Sequence, residues 1–142
     1  MIRIRVRVTD HGFNDLRANL ASADRVEVVA GLLDSEQAMK GAFAEFGTVT
    51  TPARPWLSIA GDSAAVESAI DGTVLAIVRG TDASSAMDGL GQTIAAQAVA
   101  VIESQQVGGP TLADSTVARK GSTDKLIDTG AMVDSITSEV RR

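Results

Sequence analysis

Between Glu45 and Leu57 the chain reads Glu-Phe-Gly-Thr-Val-Thr-Thr-Pro-Ala-Arg-Pro-Trp-Leu, and two of its three prolines and its only tryptophan fall in that stretch. Pro52 and Pro55 each lock their own backbone angle and push the preceding residue toward extended geometry. Residues 51–56 are therefore expected to run as a stiff, non-helical strap, with every helix kept to one side of it or the other. A strap that carries Trp56 can anchor a core or an interface. Its side chains supply no nucleophile, metal-ligand set or acid/base pair, so it is expected to be scaffold.

The rest of the core has to be built without aromatics. They make up only 3% of the 142 residues, against 44% hydrophobic residues in all, so Val, Ile, Leu, Met and Ala must fill it. That length and apolar content suit one domain over residues 1–142. The absence of cysteine excludes disulfides, thiolate zinc sites and cysteine catalysis, and the single His11 cannot form a histidine cluster. No cofactor or metal is expected, although oxygen-only Mg or Ca sites stay open. Apolar runs fall far short of the roughly 20 residues that cross a bilayer, and no signal-peptide core is visible, so a soluble, intracellularly made protein without membrane contact is expected. A net charge of -5 argues against gripping nucleic acid through clustered Lys and Arg.

In chain order, Ile2 to Thr9 alternates β-branched and charged residues, the pattern of a half-buried strand with Arg3, Arg5 and Arg7 on one face. Asp10 can cap a helix through about Ala23, and residues 26–33 read as a second strand in which Gly31 can form a bulge. Asp34 or Ser35 opens a helix with Met39, Ala42, Phe43 and Phe46 on one face, and Gly47 closes it. Asp62 is the expected cap of a helix to Arg79 with Val66, Ile70, Val74 and Ile77 inward, weakened at Gly72. Residues 81–106 give the longest periodic pattern, with an alanine-rich middle that suggests burial on more than one side. After the break at Val107-Gly108-Gly109-Pro110 comes a polar segment, 107–142, with helical turns ending at Arg119-Lys120-Gly121, a short helix within 126–135 and a closing strand at 136–140. The expected class is α+β, a small, mostly antiparallel sheet with strands near both termini, packed by several α-helices, in which the terminal strand returns to a sheet begun by the first.

Three local patterns suggest chemistry. Leu126-Ile127-Asp128-Thr129-Gly130-Ala131 matches the active-site signature of retroviral-type aspartic proteases, which share one proton between two carboxylates. Such enzymes need a flap and a further apolar-glycine loop downstream, and only 12 residues follow Gly130. The structural alternative is that Asp128 or Thr129 caps a short helix and Gly130 permits close approach. Arg119-Lys120-Gly121-Ser122-Thr123 lacks the order of a phosphate-binding loop, and Gly89-Leu90-Gly91 lacks the third glycine of a dinucleotide fold.

Taken together, the Glu45-Phe46-Gly47-Thr48 element, Pro52-Ala53-Arg54-Pro55-Trp56-Leu57, two helices, Ser115 to Ser122, and Leu126 to Gly130 continuing through Ser135-Ile136-Thr137 resemble the head-tail joining or tail-completion (neck) proteins of tailed bacteriophages. The resemblance spans residues 26–140 in order and spacing. It implies a single neck domain and a non-enzymatic virion component at the head–tail interface, made in the bacterial host cytoplasm. It also implies a homo-oligomeric ring, expected to be a hexamer, between the head connector and the tail tube. Its partners would be other neck, connector and tail-tube or terminator proteins, and DNA would pass through its lumen without specific binding. Glu45, Phe46, Gly47, Pro52, Ala53, Arg54, Pro55, Trp56, Leu57, Arg119, Lys120, Gly121, Asp128, Thr129, Gly130 and Ser135 are the interface or structural positions it points to. Arg54 would pair with a carboxylate nearby or on the next subunit. Two other readings are an aspartic protease acting through Asp128 and a monomeric adaptor that folds its C-terminal segment on docking.

Overall fold

The computed structural model describes residues 9–127 and 130–142. The alternating segment before Thr9, with Arg3, Arg5 and Arg7, and the pair Asp128 and Thr129 lie outside the described residues. Among the described residues seven helices and two strands follow in the order α1 (Phe13–Ala23), β1 (Glu27–Leu32), α2 (Ser35–Phe46), α3 (Leu57–Gly61), α4 (Ala64–Val78), α5 (Ala83–Glu103), α6 (Asp114–Lys120), α7 (Ala131–Asp134) and β2 (Ile136–Arg141). The fold is α+β, as the sequence pattern predicts.

α5 is the axis. It packs on both strands, on α4 and on α3, and α1 lies against α4 and α5. β1 and β2 pair antiparallel in unbroken register from Glu27↔Arg141 to Leu32↔Ile136. The expected bulge at Gly31 is therefore absent: Gly31 pairs normally with Thr137, and the positive φ of 139° is absorbed within the ladder. A two-stranded ribbon is marginal by itself and needs a packed face. α5 supplies it through Gly91, where a Cβ would stand 2.6 Å from Val28 and 2.9 Å from Ser138, so glycine is what lets the helix lie this close.

The helix starts follow side-chain capping chemistry. The Asp10 carboxylate accepts from the backbone N–H groups of Phe13 and Asn14, and Asp34 accepts from those of Glu36 and Gln37. α4 is capped by Ser63 rather than Asp62, the Ser63 hydroxyl accepting from the Val66 N–H. α5 is capped by Asp82, whose carboxyl is held below its usual range chiefly by the Ser85 N–H and hydroxyl. Three expectations are corrected in the packing. Ile70 and Val74 of α4 point to solvent, because Val66, Thr73 and Ile77 are the stripe that meets α5. The short helix α3, directly after the strap, has no counterpart in the sequence reading. The helix expected within 126–135 shrinks to the single turn α7, since Leu126 has a positive φ of 62° and Gly130 enters the helix in left-handed geometry.

Candidate functional site

Residues 52–56 of the strap form neither helix nor strand, and hydrogen bonds sew the strap to α2. At its start the Thr48 N–H donates to the Thr51 carbonyl at 2.8 Å, and Gly47 turns at φ 74° in a space where a Cβ would lie 2.7 Å from the Ala53 nitrogen. The Arg54 N–H then donates to the Ala44 carbonyl at 2.7 Å, and the indole N–H of Trp56 donates to the Gly41 carbonyl at 3.2 Å.

Glu45 joins the strap to α3. Its carboxylate accepts from the N–H groups of Trp56 (2.7 Å), Leu57 (2.9 Å) and Ser58 (3.1 Å) and from the Ser58 hydroxyl (2.5 Å). Trp56, the residue before α3, cannot cap it through an indole, so Glu45 of α2, 11 to 13 residues earlier in the chain, satisfies the orphan donors. Partial burial would push the Glu45 carboxyl up. The Ser58 hydroxyl and the three backbone donors outweigh that and hold it below its ordinary value. All of its strong acceptor capacity is spent inside the fold, which makes Glu45 a structural clasp rather than an acid or base.

A second clasp closes the strap from above. The Gly108 N–H donates to the Pro55 carbonyl at 3.0 Å, and Gly109, at φ 78°, lies so close to the Ala53 carbonyl that a Cβ would overlap it. The Lys125 ammonium reaches the carbonyls of Val107 (3.3 Å), Gly108 (3.5 Å) and Gly109 (3.0 Å), while its own N–H donates to the Gln105 side chain at 2.6 Å. Beneath, Trp56 is 2% exposed in a core with Ala60, Ala98, Val101, Ile102 and Val107, and Leu126, Ile127, Met132 and Val133 pack against that same cluster. The strap and the segment around Gly130 thus meet on one core.

The remaining expected positions are local. Arg119 is exposed, Lys120 donates to the Asp124 carbonyl, Gly121 ends α6 at φ 76°, and the Ser135 hydroxyl donates to the Ala131 carbonyl at 2.6 Å. Pro52 is exposed. Arg54 finds no carboxylate among the described residues; its Nε is buried without a hydrogen-bond partner. Ser58, Gln105 and Lys125 were missed by the sequence reading. Ser58 was open to discovery as a small hydroxyl at the start of a helix, but nothing local signals that Lys125 reaches back to carbonyls 16 to 18 residues earlier.

The surface is unusual in what it leaves outside. All three phenylalanines are exposed, Phe13 at 64%, Phe43 at 53% and Phe46 at 81%. Met39, Phe43 and Phe46 form a ridge on α2, and the fully exposed Val49 follows it. A groove of about 420 Å³ runs beside this ridge, lined by Leu32, Ala42, Phe46, Trp56 and Leu57 and closed at one side by Glu45 and Ser58. On α4, Ile70, Val74, Leu75 and Val78 face solvent, with Phe13 and Leu20 exposed on the neighbouring α1. Among the described residues no group of His, Asp and Glu is placed to hold a metal ion, and no helix is long and apolar enough to cross a membrane.

Comparison with models of known protein families, with curated proteins and with solved structures returned no match.

Proposed function

We propose that this chain is a non-enzymatic structural protein of the head–tail junction of a tailed bacteriophage. In this reading it is a neck or tail-completion subunit that assembles as a ring, joins the connector to the tail and leaves a channel for DNA. The observation that carries the reading is the division of labour between inside and outside. The chain's most specific polar side chains, Glu45 and Lys125, are consumed in holding the strap, while its largest apolar side chains after Trp56 are turned outward on two separate helices. A binding pocket for a small substrate needs convergent polar groups with free valences; the groove beside α2 has an apolar lining and a carboxylate that is already saturated. A subunit of an assembly needs apolar faces on a stiff frame. Two further features agree with the phage resemblance: its two signature segments share one core, and the net charge of -5 suits a surface past which DNA slides.

The test is particle assembly with this chain removed. DNA-filled heads and finished tails that fail to join, seen by electron microscopy and restored by supplying the chain in trans, are the expected result. Normal joined particles overturn the proposal.

A further inference from the structure

Between Gly109 and Lys125 the chain leaves the body and comes back to the same place. Two sets of bonds fasten its return. The Gln105 side chain pairs with the Lys125 backbone in both directions, its oxygen accepting the Lys125 N–H at 2.6 Å and its Nε2 donating to the Lys125 carbonyl at 3.3 Å. The Lys125 ammonium also donates to the carbonyls of Val107, Gly108 and Gly109. Both flanks are built into the body: Val107 is 5% exposed in the Trp56 core, Leu126 and Ile127 pack on that core, and β2 is paired with β1 along its whole length.

The residues in between, 110–124, are fastened only to one another. Among the described residues their hydrogen bonds are internal: the N–H groups of Thr116 and Val117 donate to the Ala113 carbonyl, that of Gly121 to the Val117 carbonyl, that of Asp124 to the Ser122 hydroxyl, and the Lys120 ammonium to the Asp124 carbonyl. α6 buries none of its residues, has no side-chain cap at Ala113, and takes part in none of the main packing pairs of the fold. Around Gly121 no atom lies within 4 Å of where a Cβ would stand. A helix this short is marginal in water without a packed face, and Asp114 at its start with Arg119 and Lys120 at its end adds only modest help.

We infer that residues 110–124 form a conformational arm, able to melt, refold or be cut while the body keeps its fold, and that Lys125 is the latch that stops such changes at its root. This goes beyond the assembly reading above, because it follows from how the chain is fastened and not from what it meets. Local opening runs from almost free in poorly packed segments to the full unfolding energy in a core, and the fixed root keeps the two apart. A C-terminal segment that folds on docking is thereby narrowed to 110–124, since Leu126, Ile127 and β2 belong to the core and the sheet. A neighbour that reorders the arm works against none of the body's stability.

Limited trypsin digestion and amide exchange of the purified chain test this. The first cut falls after Arg119 or Lys120, and the nicked chain elutes from gel filtration as one species with the far-UV circular dichroism of the parent. α6 amides exchange far faster than those of α5. Replacing residues 111–123 with a short Gly-Ser linker leaves the urea midpoint where it was, because loop length alone costs little. In Lys125→Met, loss of the charge-assisted bonds raises exchange at the Gly108 and Lys125 position amides by about tenfold and leaves α6 exchange unchanged. First cuts inside α1 to α5 with 119–120 intact, fragments that separate or unfold on nicking, a lowered midpoint in the linker variant, or α6 amides as protected as those of α5 overturn the arm. Exchange at those two root amides that does not respond to Lys125→Met overturns the latch.

Discussion

At the scale of single residues, the account turns on side chains whose bonding capacity is spent internally. Glu45→Gln keeps the shape but replaces charge-assisted bonds with neutral ones, and it is expected to cost about 1–2 kcal/mol in urea unfolding. The same carboxylate sets a pH dependence. Its folded pKa lies below its ordinary value of 4.5, so the stabilisation is complete above that value and is lost as pH falls through the folded pKa. The parent therefore loses stability more steeply than the Gln variant in an acid titration below pH 4.5, followed by tryptophan fluorescence from the single Trp56. Gly109→Ala is the complementary test. A left-handed φ combined with overlap on the Ala53 carbonyl is expected to cost more than about 2 kcal/mol. The strap's stiffness was legible in its prolines. Its clasps were not, because they depend on Glu45, Gly109 and Lys125 arriving from elsewhere in the chain, and spacing along a sequence does not reveal which distant donor meets which acceptor.

At the scale of elements, periodicity located the long helices and both described strands and placed Val66 and Ile77 of α4 inward, but it put Ile70 and Val74 on that same inward stripe, where they do not belong. Ile70 and Val74 have the helical spacing of core residues, and hydrophobicity alone cannot separate a stripe that meets α5 from one that meets another molecule. Two further α4 and α2 variants check this division. Gly72 sits inside α4 with no atom within 4 Å of where a Cβ would be, so Gly72→Ala is expected to stabilise the protein by about 0.5–1 kcal/mol in thermal or chemical unfolding. Phe46→Ser on the α2 ridge is expected to change the unfolding free energy by less than about 0.5 kcal/mol while reducing self-association, because an 81% exposed side chain contributes little to the fold of its own chain. The short helix α3 was unreadable in advance for a related reason: five residues carry no periodic signal, and its formation depends on the carboxylate of Glu45.

At the scale of the whole molecule, a small aromatic-poor chain places its one tryptophan at the centre and every phenylalanine at the surface. Such a distribution is costly for an isolated subunit and favourable for one that is covered by neighbours. The strap, which dominates the sequence, acts as the rigid mount that sets α2 and its apolar ridge at a fixed orientation. Leu126 and Ile127, from the C-terminal part of the chain, pack on the same Trp56 core. Native mass spectrometry of the purified chain tests the central claim most directly. The account predicts one dominant closed species at six times the 14.7 kDa subunit, with few open intermediates. Subunit mass alone, at every concentration up to the onset of precipitation, would contradict it.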